Sequence, residues 1–250
     1  MEKQSGLPVQ VVPMKDLAVA AKVTMSPHAT DSYVIQVRAG LSYADYAVAF
    51  QCGHVLRSLG VPVDDRVQFA SVPSAMAWGE RLVRAHLNAA KKPPLPDSVV
   101  AGFVGQLVGG LLVQLRSIPV GMRIDAWLAE EFPSLGDLQA EAFAAQQQEA
   151  LGCLSPQVKL TVPDEIIAGS ILLNTAYALF CDRVLASPSY EVPYASAGFR
   201  DLGNALLAIY DEVPGDPTSD RVLVDRWAAE IGLGGMYQWV PFPATAPMVS

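Results

Sequence analysis

Along the first sixty residues the apolar positions change period. Residues 9–12 and 33–37 are short runs rich in β-branched side chains, the second following a turn-prone stretch at 26–32, and they predict a small sheet. Between them, residues 14–22 read as a helix. After Gly40 the spacing becomes helical: Tyr43, Tyr46, Ala47, Phe50, His54 and the apolar positions of 56–59 recur on one face, as an amphipathic helix requires. Ser42 stands where an N-cap belongs, and Gly60 with Pro62 stops the helix.

Residues 64–70 read as irregular or extended, and a helix over 74–89 ends at Lys91, Lys92, Pro93, Pro94, Leu95 and Pro96, a stiff connector. Beyond it the pattern predicts helices over 98–115, 124–131, 135–151, 164–186, 196–211 and 220–231. Pro133, Pro156, Pro163, Pro188, Pro193 and Pro214 mark the joints, because proline is excluded from helix interiors. The uncharged runs 98–115 and 166–181 approach membrane-span length, but the first is broken by Gly102, Gly105, Gly109, Gly110, Gln106 and Gln114. They read as two central helices packed through small residues. The expected fold is therefore α+β and mostly helical: a sheet-and-helix domain over 1–92, a helical domain or lobe packed on it over 97–242, and a loose tail over 243–250.

Composition narrows the function. A hydrophobic fraction of 51% excludes disorder over most of the length. A net charge of -8 would repel phosphate backbones, and the 17 Lys and Arg form no basic stripe, so nucleic acid is not an expected partner. Cys52, Cys153 and Cys181 are odd in number and lack C-x-x-C spacing, as expected of reduced core thiols in a cytoplasmic protein. The first residues lack the basic start and apolar run of a signal peptide. Neither a membrane partner nor a cofactor is expected, and the oligomeric state is not legible.

Candidate chemistry sits in residues 49–57, Ala-Phe-Gln-Cys-Gly-His-Val-Leu-Arg. In the H-E-x-x-H helix of zinc peptidases, two histidines one turn apart hold the metal and the glutamate activates its water. Here Phe50 occupies the first ligand position and Gln51 the base position, and His54 alone is kept. A phenyl ring cannot ligate, and an amide does not titrate in the useful range. Other chemistry has less support: no G-x-S-x-G elbow is present, Cys52 and His54 are two apart on a helix and point away from each other, and the glycines of 104–110 lack a phosphate-loop lysine.

With a strand at 33–37 ahead of it, this helix resembles the ImmA/IrrE-like zincin metallopeptidase domains of bacteria and their phages. In those domains a strand, a short lead-in and an H-E-L-G-H-A-L-like segment follow one another, and Gly53, His54, Val55 and Leu56 match that segment. The resemblance covers 31–59. It implies a zincin-like scaffold without tightly bound zinc, in which Tyr33, Val34, Ile35, Gln36 and Val37 form an edge strand that pairs with an extended peptide. The implied role is that of a pseudo-metallopeptidase, a regulatory or scaffold component binding a peptide or protein partner. Two other readings stay open: a metallopeptidase with a rearranged site using His54, together with His28, His86, Glu80, Asp64 or Asp65, and a helical structural protein without a cleft. The C-terminal aromatics Trp227, Tyr237, Trp239 and Phe242 either dock on the core or offer a partner-binding surface.

Overall fold

Three short strands and one helix open the chain. The structure is a computed structural model that describes residues 6–24, 32–91, 93, 95–187 and 189–241. Strands β1 (Val9–Met14), β2 (Ala21–Val23) and β3 (Tyr33–Arg38) form a sheet in the order β1-β3-β2. β3 runs parallel to β1, Val9 opposite Tyr33, and antiparallel to β2, Ala21 opposite Val37. Tyr33, Ile35 and Val37 point inward and are buried, while the residues between them are partly exposed, the period-2 pattern of a half-buried strand.

Two expectations are corrected here. Tyr33, Val34, Ile35, Gln36 and Val37 are not a free edge: β1 pairs along the whole of β3, and β2 covers its other side from Ile35 to Val37. The inward alternation is the same for a central and an edge strand, so the pattern could not distinguish them. The helix expected over 14–22 is instead a turn leading into β2. The Arg38 guanidinium holds that turn, donating from Nε to the Leu17 carbonyl at 3.0 Å and from its terminal nitrogen to the Ala18 carbonyl at 2.8 Å. Nine residues rich in helix formers lose to strand pairing because so short a helix is marginal by itself.

Helix α1 (Ala44–Leu59) packs against the sheet through Ala47, which meets Ala21 and Val37. Ser42 does not cap it. Tyr43 is the N-cap without a side-chain bond, and Ser42 Oγ donates to Glu141 instead. After the turn Val63–Asp65 come β4 (Val67–Ser71) and α2 (Pro73–Ala89).

Across the Lys and Pro connector, α3 (Asp97–Glu131) runs 35 residues and carries Pro119 inside it, joining into one helix the segments expected at 98–115 and 124–131. Next come α4 (Gly136–Ala150), the short α5 (Pro156–Thr161), and α6 (Asp164–Leu185). The short α7 (Val192–Ser196), α8 (Arg200–Glu212) and α9 (Asp220–Glu230) follow, and β5 (Tyr237–Pro241) closes the described chain. Helices dominate after residue 96, as the proline-bounded pattern predicts.

One hydrophobic cluster crosses the connector: Ala75 and Val83 of α2 join Val104, Val108 and Leu115 of α3, Phe180 of α6 and Trp227 of α9. α3 and α6 are both long and apolar enough to cross a membrane by length and composition. The apolar stretch of α6 is 61% buried in the core, whereas that of α3 is 33% buried. α3 packs through Val100, Val104, Val108, Leu111, Leu112 and Leu115. The expectation that its glycines mediate this packing is corrected, since Gly102, Gly105, Gly109 and Gly110 face open space. The close approaches come from its neighbours: a Cβ on Gly79 of α2 would overlap Val108, and one on Gly169 of α6 would press Leu111.

β5 pairs antiparallel with β4, Phe69 opposite Trp239, so the C-terminal aromatics dock on the core. Trp227 is fully buried. Tyr237 stacks on Phe69 with ring centroids 4.3 Å apart, and Asp225 Oδ1 accepts from both Tyr237 OH and Trp239 Nε1 at 2.7 Å. Trp227, Tyr237 and Trp239 therefore staple the chain to itself, and the partner-surface alternative for them is set aside. Phe242, the tail over 243–250 and His28 lie outside the described residues.

Candidate functional site

The helical period of α1 sets its chemistry. Phe50 and His54 lie one turn apart on the same face, and the Phe50 ring meets the imidazole edge-on, centroids 5.0 Å apart at 83°. On its other side the ring reaches α3, where a Cβ on Gly121 would come within 3.2 Å of Phe50 Cζ. Phe50 thus fills the space between the helices with apolar surface. His54 is partly buried, and desolvation, reinforced by the positive charges of Arg116 and Arg57, pushes its pKa down to about 4. The imidazole is neutral at pH 7.

Gln51 turns toward the sheet, its Nε2 donating to the Ala21 carbonyl of β2 at 3.2 Å. A glutamate here would set its carboxylate against that carbonyl, whereas the amide donates to it. Among the described residues no group of three or more His, Cys, Asp and Glu is placed to hold a metal ion. His86 stands apart on α2, its Nε2 3.2 Å from the Leu160 carbonyl. The Cys52 thiol is pushed up by burial.

The neighbouring face of α1 carries a constellation that the sequence did not reveal. Gly53 lets α1 and α3 approach so closely that a Cβ there would overlap Ile124 Cγ2. One turn on, Arg57 forms a bidentate pair with Asp220 of α9, Nε to Oδ2 at 2.8 Å and a terminal nitrogen to Oδ1 at 2.5 Å, and also donates to the Gly215 carbonyl at 3.1 Å. Arg123 of α3 lies over the Tyr210 ring at 5.1 Å and donates to the Val213 carbonyl at 2.8 Å. Its Nε is 3.8 Å from Asp220 Oδ1 and, although buried, has no hydrogen-bond partner.

Desolvation lowers the Arg123 pKa and raises that of Asp220, the latter against the pull of Arg57. Asp216 caps the turn Pro217–Ser219 through Thr218 and Ser219, and those bonds hold its carboxyl down at about 2. Beside these groups lies a half-open cleft of about 240 Å³ lined by Gly53, Leu56, Arg57, Arg123, Ile124, Trp127 and Pro217. Arg57 and Asp220 are 163 residues apart, so only chain folding brings them together.

A second polar group is wholly internal. Asp125, 1% exposed, accepts from Tyr46 OH and from Tyr177 OH at 3.4 Å. Gln146 Oε1 competes for the single Tyr177 hydroxyl proton, and Gln139 donates to the Asp125 backbone carbonyl at 2.9 Å. Burial pushes the Asp125 carboxyl up to about 7 and both tyrosines above their ordinary range. No cleft residue belongs to this group, which ties α1, α3, α4 and α6 together.

Replacing Gly53 with alanine should cost about 1–3 kcal/mol, the usual penalty of overpacking, because the new Cβ would overlap the buried Ile124 side chain and force it to shift. Chemical unfolding of Gly53→Ala, Ile124→Ala and the double variant checks this. The two losses should combine to less than their sum, since the shortened side chain makes room for the new methyl.

With this geometry in view, the chain matches no protein-family model, no curated protein and no solved structure.

Proposed function

We propose that the chain is a non-catalytic, zincin-like protein of the cytoplasm that binds a peptide or a protein partner as a regulatory or scaffold component. One observation carries the reading. The two positions that would supply a ligand and a base hold Phe50 and Gln51, and both side chains are committed to packing, on His54 and on the Ala21 carbonyl of β2. A metal ligand would have to displace the first contact, and a base the second. Of the strands, β2 lies beside α1; among the described residues no strand pairs with its outer side, where the Ala21 carbonyl is taken by Gln51 Nε2. The strand-addition surface of this reading therefore lies on an outer strand, β1 or β2, since β3 is central.

A rearranged metallopeptidase site is less favoured because His54, neutral and packed against Phe50, has no second histidine or carboxylate beside it in a ligating group among the described residues. The experiment is metal titration of the intact protein. The wild type should carry no stoichiometric zinc after purification, whereas the double variant F50H/Q51E should gain zinc affinity, because His54 lies one turn from the first substitution. Elemental analysis finding about one zinc per wild-type chain would rule the reading out, as would a folded double variant with no more affinity than the wild type.

A further inference from the structure

We propose that the cleft between α1 and α3 binds a small organic anion, a carboxylate or phosphate borne on a flat apolar group. The proposal stands on the cleft alone and does not depend on the zincin reading.

Charge is the first support. In a chain of net charge -8, Arg57 and Arg123 meet at this cleft over one shared carboxylate, Asp220. Asp216 also lies close enough to influence Arg123, but it is solvated and committed to capping, so water and salt screen it. His54 adds no charge at neutral pH. The local balance therefore favours an incoming anion.

Unmet hydrogen bonding is the second. The Arg123 side chain is 6% exposed and its Nε is without a partner. A buried cationic donor left unpaired is costly, and native structures nearly always supply it an acceptor. The planar guanidinium fork matches the oxygens of a carboxylate or phosphate. Nε itself is shut off from solvent, so a ligand reaches it only if the guanidinium turns toward the cleft that Arg123 lines.

The lining defines the rest of the ligand. Trp127, Ile124 and Leu56 give the cleft an apolar wall, and the Trp127 ring is held by an edge contact with Phe132 at 5.2 Å. The volume lies below the ~300–1,000 Å³ of drug-sized sites, so it suits a group of about one ring carrying the anion. A bare anion would leave that wall uncovered.

The test uses the full chain with phenyl phosphate, benzoate and inorganic phosphate at constant ionic strength, followed by tryptophan fluorescence and calorimetry. At least one aryl anion should bind saturably, with inorganic phosphate weaker by about tenfold or more. Trp127→Phe should lose most of the fluorescence change and keep the heat. Arg57→Gln should weaken binding by about tenfold. Arg57→Lys, which retains the charge beside Asp220 and guards against misfolding of the first variant, should weaken it less. Absence of saturable heat up to about 10 mM would overturn the proposal. Equal binding of inorganic phosphate would overturn the apolar half of it, and binding unchanged in the folded Arg57 variants would overturn the location.

Discussion

Asp125→Asn should make the protein more stable above neutral pH, by about 1–4 kcal/mol, and should make its stability rise with pH in mild acid, where the wild type is nearly flat. The Asp125 carboxyl titrates at 3.8 in the unfolded chain and at about 7 in the folded one. Between those values the folded state holds a proton that the unfolded state has released. Stability contributed by the protonated acid is thus complete below 3.8 and is lost as pH rises through about 7. Asparagine has no proton to lose and still accepts from Tyr46.

His54 acts in the opposite sense. Its pKa falls from 6.5 to about 4 on folding, so the unfolded chain binds the extra proton and stability declines as pH drops through that interval. The two slopes offset one another in the wild type between about pH 4 and 6.5. With Asp125→Asn the histidine limb remains and stability should rise with pH across this window. With His54→Gln the aspartate limb remains and stability should fall. Urea unfolding of the three proteins at about pH 4.5, 5.5, 6.5 and 7.5 checks both signs. A variant series with parallel curves would show that neither group titrates differently on folding.

Asp220→Ala should destabilise the protein by about 3–5 kcal/mol, the range found when one partner of a buried ion pair is removed. Asp220 accepts two bonds from Arg57 and is the nearest carboxylate to Arg123, so its loss leaves two largely buried guanidinium groups uncompensated. Arg57→Met in the Asp220→Ala background should recover part of the loss, because it removes one of the two stranded charges. Denaturant midpoints of the two single variants and the double give the coupling directly. Additive losses would mean that solvent, and not Asp220, already satisfies Arg57.

Much of the helical half was legible. Proline cannot continue a helix and glycine readily ends one, so the boundaries of α4, α6 and α9 fall within a residue or two of the pattern at 135–151, 164–186 and 220–231. α3 is the exception. The pattern predicts separate helices at 98–115 and 124–131, yet one helix continues through the buried Pro119, held by the core packed on either side. The glycines of 98–115 looked like packing positions because composition cannot say which face turns inward. The valines and leucines at 100, 104, 108, 111 and 115 decide it.

For the candidate site the division is sharper. Phe50, Gln51 and His54 could be singled out because they are neighbours in the chain, and helical spacing alone puts Phe50 and His54 on one face. Arg57, Arg123 and Asp220 carry no local signature: each is an ordinary charged residue on an ordinary helix until α1, α3 and α9 converge. Asp125 likewise reads as a surface residue of an amphipathic helix, and only the closing of Tyr46 and Tyr177 around it removes its water and raises its pKa. The sequence by itself determined most of the helices after residue 40, the half-buried strand Tyr33–Arg38 and the loss of a ligand and a base at positions 50 and 51, all set by periodicity or identity within a few residues. The order of the strands, the docking of the C-terminal aromatics and the arginine cleft were decided by tertiary structure, because each depends on distant segments burying their apolar faces together and so fixing which polar groups share a shielded space.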